Sequence, residues 1–116
     1  MKKLNKQDKM TITELNEISK SKYGNLVKAV IDISSDILVI DVEMHVDAEG
    51  ILLEIGSDQR DLWGINLYPE NFNKENFVEF DSIINIKPSQ NNMSRYIEDK
   101  KVRNKIIKLV NEKIIE

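Results

Sequence analysis

The stretch from Val27 to His45 constrains the fold more than any other part of the chain. Val27, Ala29, Ile31 and Ile33 alternate with Lys28, Val30 and Asp32, Ser34-Ser35 interrupts, and then Leu38, Ile40, Val42 and Met44 alternate with Asp41, Glu43 and His45. A period of two sends successive side chains to opposite faces of an extended chain, so the pattern reads as a β-hairpin with one covered face. Its register follows from setting apolar residues opposite apolar ones. A two-residue turn at Ser34-Ser35 places Ile31 opposite Leu38, Ala29 opposite Ile40 and Lys28 opposite Asp41, whereas a one-residue slip would set Ala29 against Asp41.

On either side the period becomes helical. Thr11 with Glu14 three residues later is a capping box, Ile12, Leu15 and Ile18 share a helical face, and Gly24 is a stop, which gives a helix over about 12–22. Near the C-terminus Asp99 caps a helix whose stripe is Val102, Ile106, Leu109, Val110 and Ile114. Between these, Asp47 to Gly50 reads as a tight turn and Ile51 to Ile55 as a short strand. A helix from Asp47 to Gly56 is the competing assignment, because so short an apolar run does not separate the two by period.

Leu62 to Tyr68 reads as a strand. Phe77 to Ile86 reads as the longest one, with Val78, Phe80, Ile84 and Ile86 facing one way and Glu79, Asp81 and Asn85 the other. Residues 1–10, with four lysines, are expected to be a flexible leader to a single domain over 11–116. The expected class is α+β: an antiparallel, meander-like sheet of four to five strands, with the N-terminal and C-terminal helices packed on one face. The other face is then uncovered and displays Lys28, Asp32, Asp41, Glu43, His45, Asn66, Tyr68, Glu79, Asp81 and Asn85.

Charge narrows the range of partners. Residues 1–28 carry net +4, residues 29–86 net −11 and residues 87–116 net +4, for −3 overall. An acidic centre repels phosphate, so nucleic acid is disfavoured. The longest apolar run, Ile37 to Ile40, is far short of the ~20 residues a membrane helix needs, so a membrane is not an expected partner. With no cysteine there is no disulfide framework, thiolate metal site or thiol nucleophile, which suits a reducing interior, and the cytoplasm is the expected location.

The most chemically suggestive segment is Asp41-x-Glu43-x-His45-x-Asp47-x-Glu49. On a strand, alternation would put these carboxylates and the imidazole on one face, where they could hold a divalent metal or act as acid and base. His45, Asp47 and Glu49 are the catalytic candidates, and His45 and Asp47 the metal candidates. There is one histidine, so any metal would rest mainly on oxygen ligands, and no other cofactor is evident. Trp63 beside Gly64 reads as core or as a stacking surface. Ser82 points to the apolar face by alternation, away from His45, so no serine triad forms. The loop with Gln90, Asn92 and Arg95 offers donors to an anionic or peptide partner.

Three motifs carry a resemblance: Glu43-x-His45-x-Asp47-x-Glu49; Gly56-Ser57-x-Gln59-x-x-Leu62-Trp63-Gly64-x-Asn66-x-Tyr68-Pro69; and Asp81-Ser82-x-Ile84-Asn85-Ile86-x-Pro88-x-Gln90-x-Asn92. Over about Thr11 to Ile115 the chain resembles a small prokaryotic family known as a domain of unknown function, which implies kinship and no activity. The sequence therefore points first to a cytoplasmic binding or protein-interaction domain, self-associating or seated on a protein partner through its acidic sheet face. Glu43, Trp63, Asn66, Tyr68, Asp81, Asn85, Gln90, Asn92 and Arg95 are its candidate contacts. The alternative is a small metal-dependent hydrolase or other enzyme built on Glu43, His45, Asp47 and Glu49.

Overall fold

The computed structural model describes residues 1–116. The hairpin forms in the expected register: β3 (Val27–Asp32) and β4 (Ile37–Ile40) set Ala29 opposite Ile40 and Ile31 opposite Leu38. Asp32 shapes the connection, its Oδ1 accepting from the Ser34 and Ser35 amides at 2.9 Å each. The second strand is shorter than alternation suggests. Asp41 adopts φ +61°, a left-handed conformation that aspartate tolerates, and this turns the chain out of the sheet after Ile40. The Lys28–Asp41 pair therefore does not form; Asp41 is held instead by the N-terminal amine at 3.3 Å and by Lys22 at 3.2 Å.

β5 (Leu62–Leu67) pairs with β3 along its whole length, which makes β3 the central strand. The sheet is antiparallel with order β1-β4-β3-β5-β6, where β1 is Lys2–Leu4 and β6 is Val78–Glu79. A simple meander would put β5 beside β4; here the chain crosses over and returns to the other side of β3. Where a flexible leader was expected, Lys2–Leu4 form an edge strand and bury Leu4. Six residues further on, Met10–Thr11 (β2) pair in parallel with Ile114–Ile115 (β7).

Both terminal helices stand where their caps predict. In α1 (Ile12–Lys22) the Glu14 amide donates to Thr11 Oγ1 at 3.2 Å, and in α3 (Lys100–Lys113) the Lys101 amide donates to Asp99 Oδ1 at 2.8 Å. Leu15 of α1 and Ile106, Leu109 and Val110 of α3 join Ala29, Ile31, Leu38, Ile40, Trp63 and Ile65 in one apolar core. Each buried leucine, isoleucine or valine among them contributes roughly 1.5–3 kcal/mol by leaving water. At the end of α3 the buried Lys113 ammonium donates to Asp36 in the hairpin turn, tying the last helix to the first hairpin.

The segment expected as a strand after Asp47 is α2 (His45–Glu54), so the competing helical assignment is the correct one. Ala48 and Leu52, one turn apart, pack on Val30, Val39, Val42 and Leu62. Val30, Val39 and Leu62 lie out of phase with the main core. They form a second apolar patch on the opposite face of the sheet, which is therefore not left uncovered. No helix is long and apolar enough to cross a membrane.

The strand expected over Phe77–Ile86 is cut to Val78–Glu79. Ser82 Oγ accepts from the Ile84 amide at 3.3 Å and starts a tight turn over Ile83–Asn85. The buried Asn85 side chain then takes the place of strand backbone: the Gly64 amide donates to Asn85 Oδ1 at 2.8 Å, and Asn85 Nδ2 donates to the Gly64 carbonyl at 2.9 Å and the Arg95 carbonyl at 3.0 Å. Gly64 is required for this approach, because a Cβ there would lie 2.5 Å from the Ser82 Cβ and Oγ.

Candidate functional site

α2 covers only the apolar half of its sheet face. Beyond its first turn the same face turns polar, with Lys28 on β3 and Asn66 opposite it on β5, and there the surface opens into a groove of about 560 Å³. Asn66 and His45 line its floor, and Leu26, Met44, Val46 and Ile83 its rim. A second lobe of about 920 Å³ runs along β6, walled by Tyr68, Phe80 and Tyr96 and by Glu75, Glu79 and Asp81. Tyr68, Glu79, Asp81 and Arg95 line both lobes, so the two form one depression.

Hydrogen bonds fix the floor. His45 is the first residue of α2, and its Nε2 lies 2.9 Å from the Ile65 carbonyl, which can only accept, so that nitrogen carries the hydrogen. Burial holds the imidazole below its ordinary value near 6.5; the bond to Ile65 opposes this and the Lys28 charge adds to it. The ring is therefore neutral at pH 7. Asn66 donates from Nδ2 to Glu79 Oε1 at 2.7 Å and to the Asp81 carbonyl at 3.3 Å, while its buried Oδ1 has no donor. The Asn66 side chain also opposes the burial and favours the charged ring.

The Tyr68 hydroxyl donates to the same Glu79 Oε1 at 3.1 Å. Partial burial, then that bond and the Glu79 and Asp81 charges, raise the phenol above its usual range and keep it a donor. Arg95 Nε donates to Asp81 Oδ1 at 2.7 Å between two half-exposed side chains. The result is a neutral imidazole, a protonated phenol and a carboxylate held by two donors, beside an exposed ion pair. Such an array is suited to recognition by hydrogen bond and charge. Ser82, the serine weighed in the sequence as a nucleophile, is buried and its Oγ accepts the Ile84 amide.

Of the residues singled out in the sequence, His45, Asn66, Tyr68, Asp81 and Arg95 meet in this groove. The others do not. Glu43 is exposed ahead of α2, with only its backbone carbonyl engaged, by the Tyr23 hydroxyl at 2.6 Å. Asp47 is exposed on the first turn of α2, and Glu49 is buried beneath that helix with Oε2 unpartnered, its charge acting on Lys87. On a helix, residues two apart point to opposite sides, so the expected shared face of Glu43, His45, Asp47 and Glu49 does not exist. No three His, Asp or Glu side chains anywhere in the chain gather in a way that could hold a metal ion.

Trp63 lies in the core and borders a separate cavity of about 380 Å³ with Gln90 and Asn92. Asn85 and Asn92 organise the backbone. Asn92 Nδ2 donates to the carbonyls of Asn85, Ser94 and Tyr96, and its Oδ1 accepts from the Glu98 amide. Gln90 Nε2 reaches the Arg60 carbonyl at 3.1 Å. Sequence reasoning placed Glu79 on the polar face without naming it a contact, although its phase with Asp81 was a usable signal. It had no signal for Phe80 and Tyr96, which come together as an edge-to-face pair with centroids 6.2 Å apart only after the loop folds back.

Comparison with known families gives one match: the model described as a protein of unknown function (DUF5674) covers residues 5–113. No curated protein and no solved structure matches the chain.

Proposed function

The chain belongs to the DUF5674 family, and from that premise we propose that it is a binding domain whose contact site is the two-lobed groove at the β5–β6 end of the sheet. One observation carries the reading. Five polar side chains, His45, Asn66, Tyr68, Asp81 and Arg95, from four separate sequence segments converge on a depression whose rim exposes Met44, Val46 and Ile83, at 55%, 53% and 66%. Exposed apolar side chains around a polar, hydrogen-bonded floor are the composition of a recognition site: the rim excludes water and the floor sets orientation. The acidic sheet face thus narrows to this groove, and its occupant is a protein partner, a second copy of the chain or a ligand carried by one. A cytoplasmic location goes with the reading, in keeping with a chain that has no cysteine.

The test is a fragment and short-peptide screen by amide chemical shifts, run in parallel on the protein and on Ile83→Lys. Hits are expected to move the amides of Asn66, Tyr68, Glu79 and Asp81 and to be lost in the variant. Since Ile83 is mostly exposed, its replacement should change stability by no more than about 0.5 kcal/mol, so a lost hit would report contact and not unfolding. Hits confined to other surfaces, or none at all, would remove the reading.

A further inference from the structure

The outer lobe combines two kinds of group that attract the same kind of ligand. Tyr68, Phe80 and Tyr96 offer aromatic surface, and Glu75, Glu79 and Asp81 offer carboxylates. A ring face carries the negative part of its quadrupole and a carboxylate a full negative charge, so both favour a cation, most strongly where water is excluded. The only cation lining this lobe, Arg95, is already engaged with Asp81. The chain itself shows that Tyr96 accepts a guanidinium, because Arg103 Cζ sits 5.0 Å from its ring centroid.

A second observation comes from the floor. Asn66, on the floor of the inner lobe, is 6% exposed, and its Oδ1 is buried without a donor. Its Nδ2 and the Tyr68 hydroxyl both bind Glu79 Oε1, which orients that carboxylate and leaves Oε2 without an intramolecular partner. A carboxylate fixed from behind and open in front is preorganised for a donor arriving from the groove.

We propose that the outer lobe recognises an ammonium or guanidinium group carried on an aliphatic stem, with Glu79 and Asp81 taking its charge and Tyr68 and Phe80 its stem. This rests on the groove being the contact site. The shared chemistry is that of a lysine or arginine side chain of a partner and of a free alkylamine.

The experiment titrates the full chain with n-butylammonium and n-butylguanidinium, then with an arginine-containing tripeptide, with n-butylurea as neutral isostere and pentanoate as anion. Both cations should move the Tyr68, Glu79 and Asp81 amides and bind roughly tenfold or more tighter than the urea, with pentanoate inert. Glu79→Gln and Asp81→Asn, each made separately, should remove most of that preference. Tighter binding of the tripeptide than of butylguanidinium points to a protein side chain as the natural source; equal binding points to a free amine. Equal binding of urea and guanidinium, an unchanged preference in both variants, or no shift with tens of millimolar cation would overturn the proposal. If neutral or anionic hits from the screen occupy the groove while the cations do not, this inference falls and the contact site stands. If nothing perturbs the groove in either experiment, both fall.

Discussion

One face of the sheet is sealed from end to end by α1 and α3, whereas the other is sealed at one end by α2 and open at the other. The sealed face alternates without a fault: every inward position on β3, β4 and β5 is apolar. On the second face the side chains are apolar at Val30, Val39 and Leu62, with the buried Asp32 beside them satisfied by Ser34, Ser35 and Ser57, and polar at Lys28 and Asn66 toward the open end. A helix can rest on the first set, since burying it gains about 25 cal/mol per Å² of apolar surface, but resting on the second would bury donors and acceptors at a loss. The boundary between packing and groove is thus a boundary in side-chain polarity along single strands. Function, on the reading above, sits where the second face fails to close.

Three perturbations test that contrast. The largest effect is expected from Asn85→Ala, which removes the amide that completes the sheet at Gly64 and leaves the buried Gly64 N–H and carbonyl unpaired, while the Arg95 carbonyl keeps the Ser82 amide. At about 1–3 kcal/mol for each buried unsatisfied group the loss should reach about 3 to 5 kcal/mol, read as a lower urea midpoint. Next, Leu52→Ala under α2 and Leu15→Ala under α1 should both cost about 2 to 5 kcal/mol, because both side chains are fully buried. A loss below about 1 kcal/mol at Leu52 alone would mean that α2 is not a packed layer and that the whole second face is open.

The smallest effect concerns pH. His45 in the fold is held below its ordinary value near 6.5 by burial, so as pH falls the unfolded chain takes up this proton first. The contribution is present in full above about 6.5 and is lost as pH falls through that value toward the folded one, at no more than about 1.4 kcal/mol per pH unit. Comparing urea midpoints at about pH 7.5 and 5.5, the protein should lose more stability than His45→Gln. An identical loss in both would show that the groove floor does not titrate differently from the sealed side.

Much of the fold was legible because it is local. The Thr11 and Asp99 caps, the α1 and α3 stripes and the register of the hairpin each depend on residues within a few positions of one another. Three features were misread for a common reason. Ile51–Ile55, now part of the His45–Glu54 helix, looked like a strand because its apolar run is short and its helical face is defined only by the patch it covers, Val30, Val39 and Leu62, from strands that are distant in sequence. Phe77–Ile86 alternated over ten residues, yet only two of them stay in the sheet, since Asn85 satisfies Gly64 better than another strand residue could. Lys2–Leu4 carry no period of their own and become a strand because the outer edge of β4 is vacant.

The site shows the same division. His45, Asn66, Tyr68, Asp81 and Arg95 were recognisable as polar residues in suggestive phase, but their association with one another was not, and the cluster with Glu43, Asp47 and Glu49 dissolved once the segment proved helical. The sequence by itself determined the α+β class, the two terminal helices, the hairpin pairing and the acidic centre, all of which follow from periodicity, capping and composition over short range. The tertiary structure alone decided the crossover that makes β3 central, the helix on the second face, and the groove that helix leaves open. Each of these rests on the match between surfaces far apart in the chain, and their burial energy exists only once both surfaces have formed.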